Sequence, residues 1–220
     1  PAVHSLHGLT DSRIGDSRMA RKLLSRFNKV IVTTRNQHQV IREVIPEAEI
    51  VPDGISLEQF HPQNKKEKEV SCRELGVSSP IIGFIGPLVK RKGFHNFLVL
   101  AKGLIKEIPQ VMFLVMNSTS EKPVMAQIKG LEDRFVFTGY VEDRNKVINC
   151  MDIAVFPFDY INVTFGQPIA ILEVMACGKP VITTDVEGID ELIVHDANGR
   201  IAPPYDPATL KEQVTVLLND

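Results

Sequence analysis

No stretch of this sequence is apolar for long enough to cross a membrane. The longest candidate runs, Ile81–Ile85 and Val111–Met116, are strand-sized and far short of the roughly 18 residues a spanning helix requires. Excess charge is also lacking: a net charge of −2 over 220 residues gives no general attraction to nucleic acid or to an anionic membrane. Cysteine is scarce. Cys72, Cys150 and Cys177 are odd in number and far apart, which is neither a zinc pattern nor a disulfide framework. They read as reduced structural residues of a cytoplasmic protein. No internal repeat is present, and low complexity is limited to the charged stretch Lys65–Glu69. No Gly-x-Gly-x-x-Gly follows a strand, which argues against a dinucleotide-dependent oxidoreductase. Asn162-Val163-Thr164 matches a glycosylation sequon, but chance matches are common and a cytoplasmic chain would not meet the enzyme.

What is there is an apolar fraction of 44%, enough for a sizeable core. The length suits one domain of about 150 residues plus a further piece, and Pro1 in place of Met reads as a sequence that begins inside a longer protein. From Pro80 onward short apolar runs alternate with amphipathic stretches. The runs are Pro80–Ile85, Val111–Met116, Arg134–Thr138, Ile153–Phe156, Pro180–Thr183 and Arg200–Ala202, with helical patterns over Phe94–Glu107 and Ala170–Ala176. Continuous apolar strands alternating with helices predict a parallel sheet covered on both faces. The expected fold is therefore α/β, a doubly wound Rossmann-like domain with about six strands. Such sheets bind ligands at the carboxyl ends of their strands, which directs attention to the loops after Ile85, Thr138 and Phe156. Before Pro80, Lys29–Thr33 and Glu49–Val51 read as strands and Gln37–Ile45 as a helix. Pro52-Asp53-Gly54 and Phe60-His61-Pro62 then break the pattern. The predicted organisation is residues 1–51 as part of a second α/β domain, 52–62 as a linker, and 63–220 as the ligand-binding domain.

Two segments carry chemistry. Gly86-Pro87-Leu88-Val89-Lys90-Arg91-Lys92-Gly93 follows a strand and opens a helix. Gly86 permits close backbone approach, a helix start offers free amides to an anion, and a lysine acts as a point charge on phosphate. The plain alternative is a solvated basic turn. In the second segment, Val163 to Val181, Pro168 suits the first turn of a helix and Gly178 its end. Glu173 lies one position off the apolar face. It is either a surface carboxylate or an acceptor of two hydrogen bonds from sugar or ribose hydroxyls.

These segments, in this order and spacing, resemble the retaining glycosyltransferases of the family called group 1 or family 4. Gly86-Pro87-Leu88 followed by Lys92-Gly93 is similar to that family's Gly-Arg-Leu and Lys-Gly turn. Glu173, with Met175 through Val181, is similar to its Glu-Ala-Met-Ala-Cys-Gly-x-Pro-Val segment. The resemblance extends through Phe135–Val141, Asp152–Pro157, Gly188, Glu191 and Gly199, and back to Val51–Ile55 and Phe60. It implies the GT-B architecture, in which two Rossmann-like domains face each other across a cleft. The C-terminal domain then holds a nucleotide-sugar donor, while residues 1–51 belong to the acceptor side. It implies no cofactor and no metal, which fits the lack of an Asp-x-Asp pair. It places Lys92, aided by Arg91, on the diphosphate, Gly86 beside the phosphates, and Glu173 on the ribose. Thr138–Val141 would lie against the base, with Val141 in contact, and backbone amides from Gly166 and Gln167 to Ile169 would cradle the sugar or phosphate. His7, at the end of an expected strand, would project into the cleft beside the transferred sugar as the catalytic residue. His38, His61, His95 and His195 receive no role.

Two positions depart from the family pattern. Pro87 stands where Arg is usual, which removes a charged hydrogen bond worth roughly 1.5–3 kcal/mol, and Phe165 stands where the first Glu of a Glu-x7-Glu pair is usual. The activity implied is transfer of a hexose to a carbohydrate, lipid-linked or small-molecule acceptor, in polysaccharide or glycolipid synthesis. The setting is cytoplasmic, with contact at a membrane face made by the rest of the acceptor-side domain. Because transfer needs donor and acceptor held in near-attack geometry, the 220 residues alone are expected to be inactive. The departures motivate a second reading, a non-catalytic sugar-nucleotide-binding or partner subunit of the same fold.

Overall fold

A computed structural model describes residues 3–5, 27, 29–42, 45–159 and 168–219, and every strand pairing in it is parallel. Strands β1 (Val3–Ser5), β2 (Lys29–Val32) and β3 (Glu49–Ile50) form a three-stranded sheet in chain order. Helix α1 (Arg35–Ile41) packs between β2 and β3, its start fixed by the Thr34 hydroxyl, which accepts from the Gln37 N–H at 3.1 Å. The second sheet has six strands: β4 (Ile81–Ile85), β5 (Met112–Met116), β6 (Phe135–Phe137), β7 (Ile153–Phe156), β8 (Val181–Thr184) and β9 (Arg200–Ala202). Their order in space is β6-β5-β4-β7-β8-β9. That is the doubly wound arrangement expected from the alternation of runs. The strand order reverses between β4 and β7, the point where such sheets bind ligands.

Helices cover both faces. On one lie α3 (Phe94–Glu107) and α7 (Pro207–Asn219), where Phe97, Leu100, Leu104, Leu210 and Val214 bury against Phe84, Phe113 and Val155. Aromatic rings interlock there, with Phe84 4.9 Å from Phe94 and Phe97 5.8 Å from Phe113, both edge-on. On the other lie α2 (Lys65–Leu75), α5 (Arg144–Cys150) and α6 (Ile169–Ala176), with Val147, Ile148, Ile171 and Val174 in the core. A short helix, α4 (Lys122–Met125), follows β5. With both faces covered, β4 and β7 are buried at every residue, as continuous apolar runs require. No described helix is long and apolar enough to cross a membrane.

The stretch Lys65–Glu69 turns out to open a helix. Asn64 and Glu67 form a capping box, and Gly76 ends α2 in the left-handed conformation. The segment leading to it is pinned by two buried asparagines of α5. The His61 N–H donates to Asn145 Oδ1 at 3.1 Å, and the Gln63 N–H donates to Asn149 Oδ1 at 2.9 Å. All three cysteines are free. Burial pushes the Cys177 thiol up to about 11 and raises that of Cys150 further, which suits structural and unreactive positions.

Candidate functional site

The carboxyl ends of β4, β5, β6 and β7 open onto a cleft of about 250 Å³. Its floor is apolar and made by the last residues of three strands, Ile85, Met116 and Phe156. Gly86 leaves β4 with φ 145°, a conformation that favours glycine, and its N–H donates to the Met116 carbonyl at 2.9 Å. The chain then makes a 3-10 turn over Lys90–Lys92, which ends at Gly93 with φ 73°. A Cβ at Gly93 would overlap the backbone carbonyl of Pro157, so only glycine lets this turn pack on the end of β7. That contact places the Lys92 Nζ 5.2 Å from the Phe158 ring centroid. Lys92 lines the cleft, and its burial, with help from the nearby Arg91 charge, lowers its pKa.

Asn117, buried at the end of β5, ties two rims of the cleft together. Its Nδ2 donates to the Thr119 carbonyl at 2.5 Å, and its Oδ1 accepts from the Gly139 N–H at 3.3 Å. Gly139, Tyr140 and Val141 form the rim after β6, and Tyr140 is 87% exposed. Beyond them Asp143 caps α5, accepting from the Lys146 N–H at 3.0 Å. The cap sets Arg144 as the first residue of α5, where it lines the cleft and donates through Nη2 to Glu173 Oε2. The opposite rim is the start of α6, at Pro168, Ile169 and Ala170. The cleft thus offers an apolar floor, a desolvated ammonium and a guanidinium, which suits an anionic ligand that also carries a flat or apolar part.

The structure therefore brings Gly86, Lys92 and Val141 to one cleft. Arg91 is not brought there and is exposed. Successive residues of a 3-10 turn point about 120° apart, so Arg91 and Lys92 leave the turn in different directions. Glu173 is only 8% exposed, so it is not the surface carboxylate that one reading allowed. Nor does it line the cleft, because Arg144 stands there and holds it by an ion pair. His7, Gly166, Gln167 and Phe165 lie outside the described residues, as does the sequon Asn162-Val163-Thr164. Arg144 and Asn117 were not singled out from the sequence. The available signal for Arg144 was the Asp143-Arg144 pair in a loop that follows a strand. A wider cleft of about 590 Å³ near Lys68, Cys72 and Ser79 borders the amino end of β4, the end that open parallel sheets do not use for ligands.

Residues 79–220 match the family described as Glycosyl transferases group 1. The chain is 26% identical over 203 residues to the 2-deoxystreptamine N-acetyl-D-glucosaminyltransferase of Streptomyces fradiae, covering 86% of this chain and 47% of that protein. It is 28% identical over 185 residues to the D-inositol 3-phosphate glycosyltransferase of Corynebacterium urealyticum, covering 78% of this chain and 43% of that protein. The chain thus spans about half the length of these relatives. Among solved structures, the Anabaena protein Alr3699/HepE in complex with UDP and glucose superposes with a TM-score of 0.84 at 23% identity. That superposition covers 100% of this chain and 62% of HepE.

Proposed function

The chain belongs to the Glycosyl transferases group 1 family, and we propose that it is the donor-binding half of a retaining glycosyltransferase. The cleft binds a nucleoside diphosphate sugar, and the sugar passes to an acceptor hydroxyl held by an acceptor-side domain to which β1–β3 belong. The observation that carries this reading is Lys92. An ammonium withdrawn from water, with no ion pair to a carboxylate among the described residues, lines the cleft at the switch point of the sheet. In such surroundings a charge attracts a diphosphate more strongly than it would in bulk water. Lys92 and the backbone amides at the start of α6 neutralise the departing diphosphate, and no divalent cation is required. The diphosphate in turn helps to deprotonate the acceptor on the same face of the sugar, which retains the anomeric configuration. The base lies against Gly139–Val141.

UDP-sugars and GDP-sugars are the first donors to test, the former because HepE was solved with UDP and glucose. Small polyols head the acceptor panel, since the names of two relatives contain 2-deoxystreptamine and D-inositol 3-phosphate. A donor should raise the thermal midpoint of the chain, as any ligand of the folded state does, and Lys92→Ala should diminish that shift severalfold. Equal shifts in wild type and variant would remove Lys92 from the site. The second reading, a binding subunit without catalysis, is favoured by one observation: Pro87 lines the cleft at the position where the family pattern carries Arg. Donor binding without transfer to any acceptor, measured on the same preparation, would decide for it.

A further inference from the structure

The hydrogen bonds between the strands run out at the mouth of the cleft. The Gly86 N–H donates to the Met116 carbonyl at 2.9 Å and the Thr138 N–H to the Val115 carbonyl at 3.0 Å, and beyond them the chains leaving β4, β5 and β6 part. Two side chains after β5, the middle strand of the three, carry the bridging further. Thr119 Oγ1 accepts from the Leu88 N–H at 2.9 Å, in the loop that leads to Lys92. Asn117 Oδ1 accepts from the Gly139 N–H, in the rim that carries Tyr140 and Val141. Because Asn117 Nδ2 donates to the Thr119 carbonyl, both bridges spring from one turn. Asn117 is 3% exposed and lines the cleft, whereas Thr119 stands behind the lining.

A buried amide engaged through both its oxygen and its nitrogen keeps one orientation. On the donor-site reading, Lys92 meets the diphosphate on one side of this turn and Gly139–Val141 meet the base on the other. A ligand with two binding groups gains from the second only when the two subsites are held at the span it fits. We infer that Asn117 is a positioning residue that, latched by Thr119, fixes the span between the Lys92 turn and the Gly139–Val141 rim and so sets how much the base adds to nucleotide affinity. This rests on the donor-site reading of the cleft. The Lys92 turn has a separate anchor, the close packing of Gly93 on the Pro157 carbonyl. Loss of Asn117 should therefore free the base rim while leaving the diphosphate its place.

The test is calorimetric binding of UDP, GDP and inorganic pyrophosphate to the chain, read as the ratio of nucleotide to pyrophosphate affinity. In the wild type the tighter nucleotide should exceed pyrophosphate at least about tenfold. In Asn117→Ala that ratio should fall below about threefold, with pyrophosphate affinity within about twofold of the wild type. Thr119→Val removes the acceptor of the Leu88 N–H without altering the cleft lining, and it should give an intermediate ratio. Direct contact of Asn117 with the base would not produce that second change. Thermal melts identify any variant that fails to fold, and should Asn117→Ala be one, Thr119→Val carries the test. A wild-type ratio kept in either variant overturns the inference and leaves the donor site standing. So does an equal loss of pyrophosphate and nucleotide affinity in Asn117→Ala, and so does a wild type that binds nucleotide no more tightly than pyrophosphate. Failure of the wild type to bind any of the three ligands overturns both.

Discussion

The two sheets of this chain are built from the same kind of strand, parallel and rich in Val and Ile, but they are held together very differently. The six-stranded sheet is packed on both faces by interlocked clusters that include Phe84, Phe97 and Phe113 on one side and Ile148, Phe156 and Ile171 on the other. The three-stranded sheet buries Val30, Val32, Ile41 and Ala48, and its strand β3 is exposed at both residues. Strand propensity is similar in the two, so a difference in stability is expected from the covering layers. Among the described residues this core has four small and medium side chains, which offset little of the entropy lost in ordering the strands around them. The six-stranded sheet should therefore fold as a unit that does not need the other, while the three-stranded sheet should open at lower cost.

Truncating one buried side chain in each region breaks or confirms this contrast most strongly. Phe97 is fully buried among three other rings, so Phe97→Ala should destabilise the six-stranded unit by about 3–5 kcal/mol in urea denaturation. Val32 is equally buried, yet Val32→Ala should lower amide protection in β1–β3 and leave the main urea transition near its wild-type midpoint. A main transition shifted as far by Val32→Ala as by Phe97→Ala would mean that the two sheets unfold as one cooperative body.

A smaller effect is expected where the two regions meet. The Glu191 carboxylate accepts from the Arg35 N–H, at 2.9 Å to Oε1 and 3.1 Å to Oε2. It thereby joins the 3-10 turn Ile189–Glu191, between β8 and β9, to the first turn of α1, where an anion is also favoured by the helix dipole. Glu191→Gln keeps the shape but removes the charge. It should lower protection of the Arg35 amide by a factor of about five, or about 1 kcal/mol, without moving the main urea transition. Unchanged exchange at Arg35 would show that this contact does not hold the three-stranded sheet in place.

Most of the fold was legible because burial leaves a simple trace in sequence. All six strands of the main sheet fall within a residue of the apolar runs, and Phe94–Glu107 is a helix over the predicted residues. Helix α7 (Pro207–Asn219) was not read from the sequence, and two further helices escaped because their cause is not apolar periodicity. Helix α2 reads as a charged run, and its start is written instead in the Asn64 and Glu67 caps. Helix α5 carries two buried asparagines, Asn145 and Asn149, whose side chains hold the segment before α2, so polar residues sit where an amphipathic pattern expects apolar ones. The site was legible in part for the same reason. Gly86 and Lys92 belong to a local strand-turn-helix signature, so their spacing places them in the cleft. The ion pair of Arg144 with Glu173 joins distant elements, and no local pattern announces a contact that depends on how α5 and α6 pack.

The smallest effect concerns pH and separates the regions by the kind of charge each uses. Asp152 stands just before β7, and its Oδ1 accepts from Lys68 Nζ of α2 at 2.6 Å while its Oδ2 accepts from the Ile81 N–H of β4 at 2.9 Å. Burial works against ionisation of this carboxyl, but the hydrogen bonds from Lys68, Ser79 and the Ile81 N–H outweigh it and hold its pKa below the ordinary 3.8. Because the folded pKa lies below the unfolded one, the unfolded chain takes up the proton first as pH falls. The stabilisation from Asp152 is thus fully present above the unfolded pKa of 3.8 and is lost as pH drops through the lower folded value. The opposing contributions keep the net effect modest. In the three-stranded sheet the ion pair between Lys29 and Glu49, at 2.7 Å, has side chains 47% and 54% exposed, so salt screens it and it adds little. Urea midpoints of the main transition should therefore fall between pH 5 and pH 3 by an amount that 0.5 M salt barely alters, and Asp152→Asn should flatten that fall. An equally steep fall in Asp152→Asn would place the acid-sensitive contact elsewhere in the six-stranded unit, and a fall abolished by salt would place it on the surface.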